Sequence, residues 1–416
     1  MPRSLLLLTA VVLGLSLSAQ EATRELTLRD AVTYGGGRLR PQGLQQLQWI
    51  SGGTDLSFVK DDVLYGASVG KRSDAQLLTI GQLNEQLTES DRVKAFPTIT
   101  WQGPQRFTFI SGTHLHTYDL TTGRLETGCS FPPDAEHLDV DPTGQRVAFT
   151  NADNLFLAGG DPLGPIPITT DGGDGIVSGR SVHRDEYGIT KGTFWSPTGT
   201  KIAFYRMDES MVTRYELEHI NTQPSTFAAI RYPMAGQASH QVRVGIYDVA
   251  AGTTVFLKHN GAPDDYLTNL SWTPDGKQVC VIHLDRATQN IRVVLYDAGT
   301  GEQVRILLEE HDDKWLEPLH PVHFLQKERG RFLHFSQRDG WRHLYLYGDQ
   351  GPIRQLTTGE WTVSRIIGLD TKENFVFVEG TAKVDPQDPV GALEMHLYRV
   401  DLTKGTTVRL TKSAGQ

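Results

Sequence analysis

Cysteine is nearly absent: Cys129 and Cys280 are the only two in a chain of 416 residues. A small domain stapled by several disulfides is thereby excluded, and one bridge is the most the chain could form. Two separate buried thiols are the simpler expectation. Positive charge is in short supply as well, with 40 Lys and Arg against 49 Asp and Glu and a net charge of −9. The basic residues are scattered, so no stripe is available to track phosphates, and nucleic acid is not expected as a partner. Beyond the N-terminus no apolar run is long enough to cross a bilayer. Nor does helical periodicity separate the apolar segments of the body of the chain.

What is present is glycine, 42 residues of it, gathered in turn-like clusters that point to many short strands. At the N-terminus Arg3 precedes an apolar run over residues 5–17, and small residues Ser16, Ser18 and Ala19 come before Gln20. That order reads as a secretory signal over 1–19, followed by a lead-in over 20–44. A membrane anchor is the alternative, but the run falls short of the roughly 20 residues a spanning helix needs. The mature chain is expected to be secreted or periplasmic, with no membrane attachment after cleavage.

From about residue 45 a unit recurs: an apolar strand, a Pro/Asp/Gly turn, a β-rich strand, then an aromatic strand ending in Tyr-Asp and a glycine turn. Clear copies are Trp195-Ser196-Pro197-Thr198-Gly199 before Ile202-Ala203-Phe204-Tyr205, and Trp272-Thr273-Pro274-Asp275-Gly276 before Val279-Cys280-Val281-Ile282. Asp141-Pro142-Thr143-Gly144 is a weaker one. Proline presets the first turn position and glycine accepts positive φ, so each strand pair closes tightly. Sheets of about four strands at roughly 40–50-residue spacing describe propeller blades. The unit is too short for tandem β-sandwiches and too long for a β-helix. The expected class is therefore all-β, a β-propeller over 45–416 of four-stranded antiparallel blades. Seven blades are recognisable, starting near residues 45, 96, 137, 193, 269, 322 and 366. One is stretched by an insertion at 206–241, as contact loops often are.

Four stretches are more specific than the generic turn: Ser181-Val182-His183-Arg184-Asp185-Glu186-Tyr187-Gly188, Ala203-Phe204-Tyr205-Arg206-Met207-Asp208-Glu209-Ser210, Tyr232-Pro233-Met234-Ala235-Gly236 and Gly340-Trp341-Arg342-His343-Leu344-Tyr345. They resemble the dipeptidyl peptidase IV family of the prolyl oligopeptidase clan, over nearly the whole mature chain. The resemblance implies a propeller of eight blades capping an α/β-hydrolase domain, with the active site between them. It implies a Ser-Asp-His triad in the hydrolase, cleavage after Pro or Ala at the second position, and propeller carboxylates that hold the substrate's free α-amino group. It also implies that the stretched blade is used in subunit contact, hence a homodimer through 206–241.

Neither a Gly-x-Ser-x-Gly nucleophile elbow nor the strand–helix alternation of a hydrolase domain is expected in this chain, so no catalytic residue is assigned and the chain alone should be inactive. It reads either as part of a longer enzyme or as a degenerate relative. The rival function is a stand-alone secreted propeller that binds a protein or ligand without chemistry.

The candidate anchor is Glu186, which matches the glutamate of the family motif, with Asp185 where a second carboxylate would lie. Two carboxylates on one ammonium supply acceptors for its donors and reject N-blocked peptides. A solvated acidic turn is the plain alternative. Arg184 is expected to orient a carboxylate, since a cation beside the pair would repel the substrate amine. No metal or cofactor is expected. His114 and His116 share a strand face, but no third ligand stands at a recognisable spacing. Asp171-Gly172-Gly173-Asp174-Gly175 lacks the ligand pattern of a calcium loop and reads as a turn. Asp208 and Glu209 read as structural. The tryptophans at 49, 101, 195, 272 and 341 are expected in blade packing.

Overall fold

The Pro/Gly turns close as their composition requires. In each, the glycine N–H donates back across the turn at 2.9 Å, from Gly144 to Asp141, Gly199 to Ser196 and Gly276 to Thr273. All three glycines have φ between 66° and 69°, where a side chain would be strained. The Tyr-Asp endings are equally regular. Asp119, Asp248, Asp297 and Asp401 each cap the following turn, their Oδ1 accepting two backbone N–H groups. Those bonds hold the Asp119 and Asp297 carboxyls below the usual range, and Asp248 is held down first by the Lys201 ammonium and then by its turn.

The structure is a computed structural model that describes residues 27–33, 43–71, 74–159, 164–382 and 394–411. The signal segment 1–19 and most of the lead-in lie outside the described residues. Two units are distinguished, 1–45 and 46–416; the first contributes a short helix, Leu28–Thr33. The second is the β-propeller. Its seven blades span 45–79, 99–130, 136–167, 176–256, 266–311, 323–355 and 363–409. Every blade runs antiparallel in chain order, first strand to last.

Blade four departs from the expected outline. It starts at Ile176–Ser178, earlier than the expected 193, because its first strand is broken in two. Ile176–Ser178 pairs with Arg206, Met207 and Asp208, and Thr193–Trp195 pairs with Ile202, Ala203 and Phe204 of the same neighbour. Residues 179–192 between them bud from the first-strand edge of the sheet. The insertion also begins later than expected, since Lys201–Asp208 is one continuous strand paired with Gln241–Asp248. What projects is a hairpin, Arg214–His219 with Thr226–Arg231, which pairs with no other sheet.

Side chains alternate along each strand between the two neighbouring blades. Ile202 and Phe204 pack towards blade three, Ala203 and Tyr205 towards blade five. Val279 and Val281 then face blade four, and Cys280 and Ile282 face blade six. Six such clusters join the blades pairwise from one to seven; among the described residues none joins blade seven to blade one. The cysteines are both free, Cys129 in blade two and Cys280 sealed between blades five and six, where burial pushes its thiol up to about 12.

Tryptophans at the ends of first strands reach back onto the preceding blade. Trp101 Nε1 donates to Ser57 Oγ at 2.8 Å, Trp195 to Asp139 O at 3.0 Å and Trp272 to Phe194 O at 2.9 Å. Trp49 holds the same place in blade one but meets no earlier blade among the described residues, and is 61% exposed. Trp341 is also exposed, so the packing expectation fails for these two. Trp361, fully buried between blades six and seven, does that work instead.

Candidate functional site

Residues 179–192 carry the acidic pair, and their backbone is unusual. His183, Arg184, Asp185 and Tyr187 all lie at positive φ, between 54° and 63°. Left-handed backbone costs a residue with a side chain about 1–2 kcal/mol, so four within five positions must be held by their surroundings. The hold is visible. Asn269 Nδ2 donates to Tyr187 O at 2.7 Å and to Pro318 O at 2.5 Å. Gly188, at φ 73°, abuts Leu319 so closely that a Cβ would lie 2.0 Å from its carbonyl oxygen. Val182 and Ile189 are buried in the core shared by blades four and five. The segment is therefore pinned at both ends to blade five and to the strand connection before blade six.

Between those anchors Arg184, Asp185 and Glu186 are exposed. Ser181 Oγ donates to Asp185 Oδ1, which steadies that carboxylate. Glu186 forms no ion pair among the described residues. Arg184 does not close on either carboxylate; its guanidinium lies 5.4 Å from the Tyr232 ring centroid. Its charge acts instead on Glu209, whose carboxyl burial raises while Arg184 and Arg231 pull it back. Next to Glu186, Tyr187 stands edge-on to Tyr266 at 5.0 Å, and Arg286 donates to the Tyr266 hydroxyl while lying over its ring. Burial and the neighbouring Glu186 carboxylate push the Tyr187 phenol up, so it stays a neutral donor. The arrangement offers two accessible carboxylates beside an aromatic wall, which suits a cationic ligand.

A model of the dipeptidyl peptidase IV N-terminal region matches residues 102–416. The chain belongs to that family. A dipeptidyl peptidase IV N-terminal region is a propeller, in keeping with the seven blades. A probable dipeptidyl-aminopeptidase B of Chaetomium globosum is 27% identical over 91% of this chain and 47% of its own length. The chain thus spans about half the length of the curated relatives it matches. A protein described as a dipeptidyl aminopeptidase IV from Bacteroides ovatus superposes with a TM-score of 0.81 at 32% identity, over 92% of this chain and 55% of that one. Dipeptidyl peptidase 4 of Porphyromonas gingivalis shares the fold, with a TM-score of 0.73 at 20% identity over 94% of this chain and 56% of that one.

One expectation about the dipeptidyl peptidase IV propeller needs correction. A Gly-x-Ser-x-Gly sequence does occur, Gly66-Ala67-Ser68-Val69-Gly70. It is not an elbow: Ser68 ends the strand Val63–Ser68, opposite Asp55, and the chain continues to another strand of the same sheet rather than into a helix. No histidine is hydrogen-bonded to Ser68 among the described residues. The Asp171–Gly175 turn closes through Gly173 and Ile176, and Arg206 holds Asp171 at 2.6 and 2.9 Å.

Two groups escaped the sequence reading. His183 and His240, 57 positions apart, form a buried hydrogen bond at the base of the 179–192 segment that carries the acidic pair in sequence. Asp91 joins His114 and His116 in one cluster. Only the period-two spacing of the two histidines signalled the second.

Proposed function

We propose that this propeller gates and anchors peptide N-termini for a dipeptidyl peptidase IV-like serine exopeptidase, with Glu186 as the principal acceptor of the substrate ammonium and Asp185 as its partner. The carrying observation is that Glu186 is exposed and free of Arg184, on a strained segment that leaves the first-strand edge of blade four. Strain of this kind persists where geometry serves a ligand. In propellers that edge borders the central channel. Arg184, turned towards Tyr232 and Glu209, leaves the negative field of the pair intact.

In this reading the chemistry belongs to an α/β-hydrolase domain outside this chain, which cleaves N-terminal Xaa-Pro or Xaa-Ala dipeptides. The uncovered face of blade one around Trp49 is closed by a further sheet, as an eight-bladed ring requires. The hairpin 214–231 serves a homodimer: Tyr215, Leu217, Ala228 and Ile230 share one face by register and are at least partly solvent-exposed. The N-terminal signal pattern supports a secreted or periplasmic site of action. The test is binding of a free-amine Xaa-Pro amide to the chain. Affinity that falls on N-acetylation and in Glu186→Gln supports the anchor, whereas equal affinity for both peptides removes it.

A further inference from the structure

Outside the acidic segment, the crossover from blade one to blade two brings three metal-ligating side chains together. Asp91 ends the short 3-10 turn Glu89–Asp91. His114 and His116 stand two apart on the strand His114–Asp119, so their rings leave the same face. Asp91 Oδ2 lies 3.2 Å from His114 Nδ1 and 3.6 Å from His116 Nε2, and one ligand atom from each residue falls within 4.8 Å of the others. Tetrahedral zinc with bonds of about 2.0–2.1 Å sets its ligands about 3.3–3.4 Å apart, close to both Asp–His distances.

The surroundings fix the ligands as a metal site does. Thr88 Oγ1 donates to Asp91 Oδ2 at 3.1 Å, and Ser111 Oγ donates to the Asp91 carbonyl at 2.5 Å. Gly112 has no room for a side chain: a Cβ would lie 2.1 Å from Asp91 Oδ1. His116 Nδ1 faces Thr127 Oγ1 at 3.3 Å. Its Nε2 is buried and has no hydrogen-bond partner, though it points at the carboxylate. Thr127 Oγ1 can accept from Nδ1 as well as donate to it, so Nε2 can turn its lone pair to a cation seated against the Asp91 carboxylate. His116 and Asp91 are buried, while His114 is partly open to solvent, leaving room for a water as fourth ligand.

We propose that Asp91, His114 and His116 bind one divalent zinc ion, which staples the crossover between the first two blades onto the hairpin of blade two. Carboxylate and imidazole together suit zinc over calcium or magnesium, which favour all-oxygen shells.

The test uses the whole chain, stripped with chelator and titrated with zinc alone, then with cobalt as a spectroscopic stand-in. The expected result is one equivalent bound, a saturable rise in Tm, and the strong visible bands of tetrahedral cobalt. His114→Ala, at the most exposed ligand, should fold normally yet weaken zinc at least about 10–100-fold and abolish the cobalt spectrum. Asp91→Asn should do the same. No uptake by the stripped wild type at micromolar zinc overturns the proposal. So does uptake undiminished in His114→Ala, which would mean that other histidines bind the ion.

Discussion

His183 Nδ1 lies 2.8 Å from His240 Nε2, and the direction of that bond can be assigned. Leu267 N–H donates to His183 Nε2 at 3.3 Å, so Nε2 is the acceptor and the ring proton sits on Nδ1. His183 therefore donates to His240, and both rings are neutral. Burial, His240 and Arg286 hold His183 well below its ordinary range, and burial, Arg184 and Arg286 hold His240 down to about 4.

A pH dependence of stability follows. Both folded values lie below the unfolded one of about 6.5, so on acidification the unfolded state takes protons first. The stabilisation is complete above about pH 6.5 and is lost as pH falls towards 4. His283, held down to about 3, and His320, to about 4, act with the same sign. Thermal melts of the chain should show a flat Tm from pH 8 to 7 and a steady decline below about 6.5. His240→Gln should reduce that decline. A Tm unchanged down to pH 5 would contradict neutral burial of these rings.

The tryptophan positions separate interior from open faces. Trp101, sealed between blades one and two, should cost about 3–5 kcal/mol on replacement by alanine. Trp49→Ala, on a face that no blade covers among the described residues, should change the stability of this chain by no more than about 0.5 kcal/mol. Urea denaturation of the two variants measures the contrast. Equal losses would mean that blade one is covered.

The projecting hairpin offers a third test. Tyr215→Ser with Leu217→Ser removes exposed apolar area without touching a blade, so far-ultraviolet spectra should stay unchanged. If the hairpin serves the proposed homodimer, self-association measured by light scattering should weaken. Unaltered association would move the contact to another surface, the Trp49 face being the foremost.

The blades were legible because their determinants are local. Each Pro/Gly turn and each Tyr-Asp ending closes within a few residues, and the strand alternation names both inter-blade faces. Trp49 and Trp101 look alike as letters, yet one is buried and the other is not, since exposure depends on whether a preceding sheet exists. Gly66-Ala67-Ser68-Val69-Gly70 was overlooked in the letters themselves, and it is no elbow because a strand follows where a helix is needed. Glu186 was singled out as a candidate through family resemblance alone. Its supports, Asn269 and Leu319, are 83 and 133 positions away and carry no local signal. Asp91 was missed because a third metal ligand supplied by another segment obeys no spacing rule.

Gly188 tests those supports directly. Gly188→Ala would force a Cβ against Leu319 O at a φ that alanine avoids. The segment should detach from the blade-six connection while the blades persist. Proteolysis should then cut within 179–192 faster than in the wild type, with little change in the remaining fragments. Equal cutting rates would show that the segment is held by other contacts.

The most direct measurement of the proposed reading is the specificity of an enzyme in which this propeller stands beside a hydrolase domain, compared between wild type and Glu186→Gln. A charge-assisted hydrogen bond is worth about 1.5–3 kcal/mol, so kcat/KM for a free-amine Xaa-Pro amide should fall about one to two decades, with the fold intact. The deficit should shrink as pH passes the substrate amine's pKa of about 7.7–8.0, because the cation then disappears for both proteins. Unchanged kcat/KM below that pH would contradict the anchor and leave the acidic pair an ordinary surface turn.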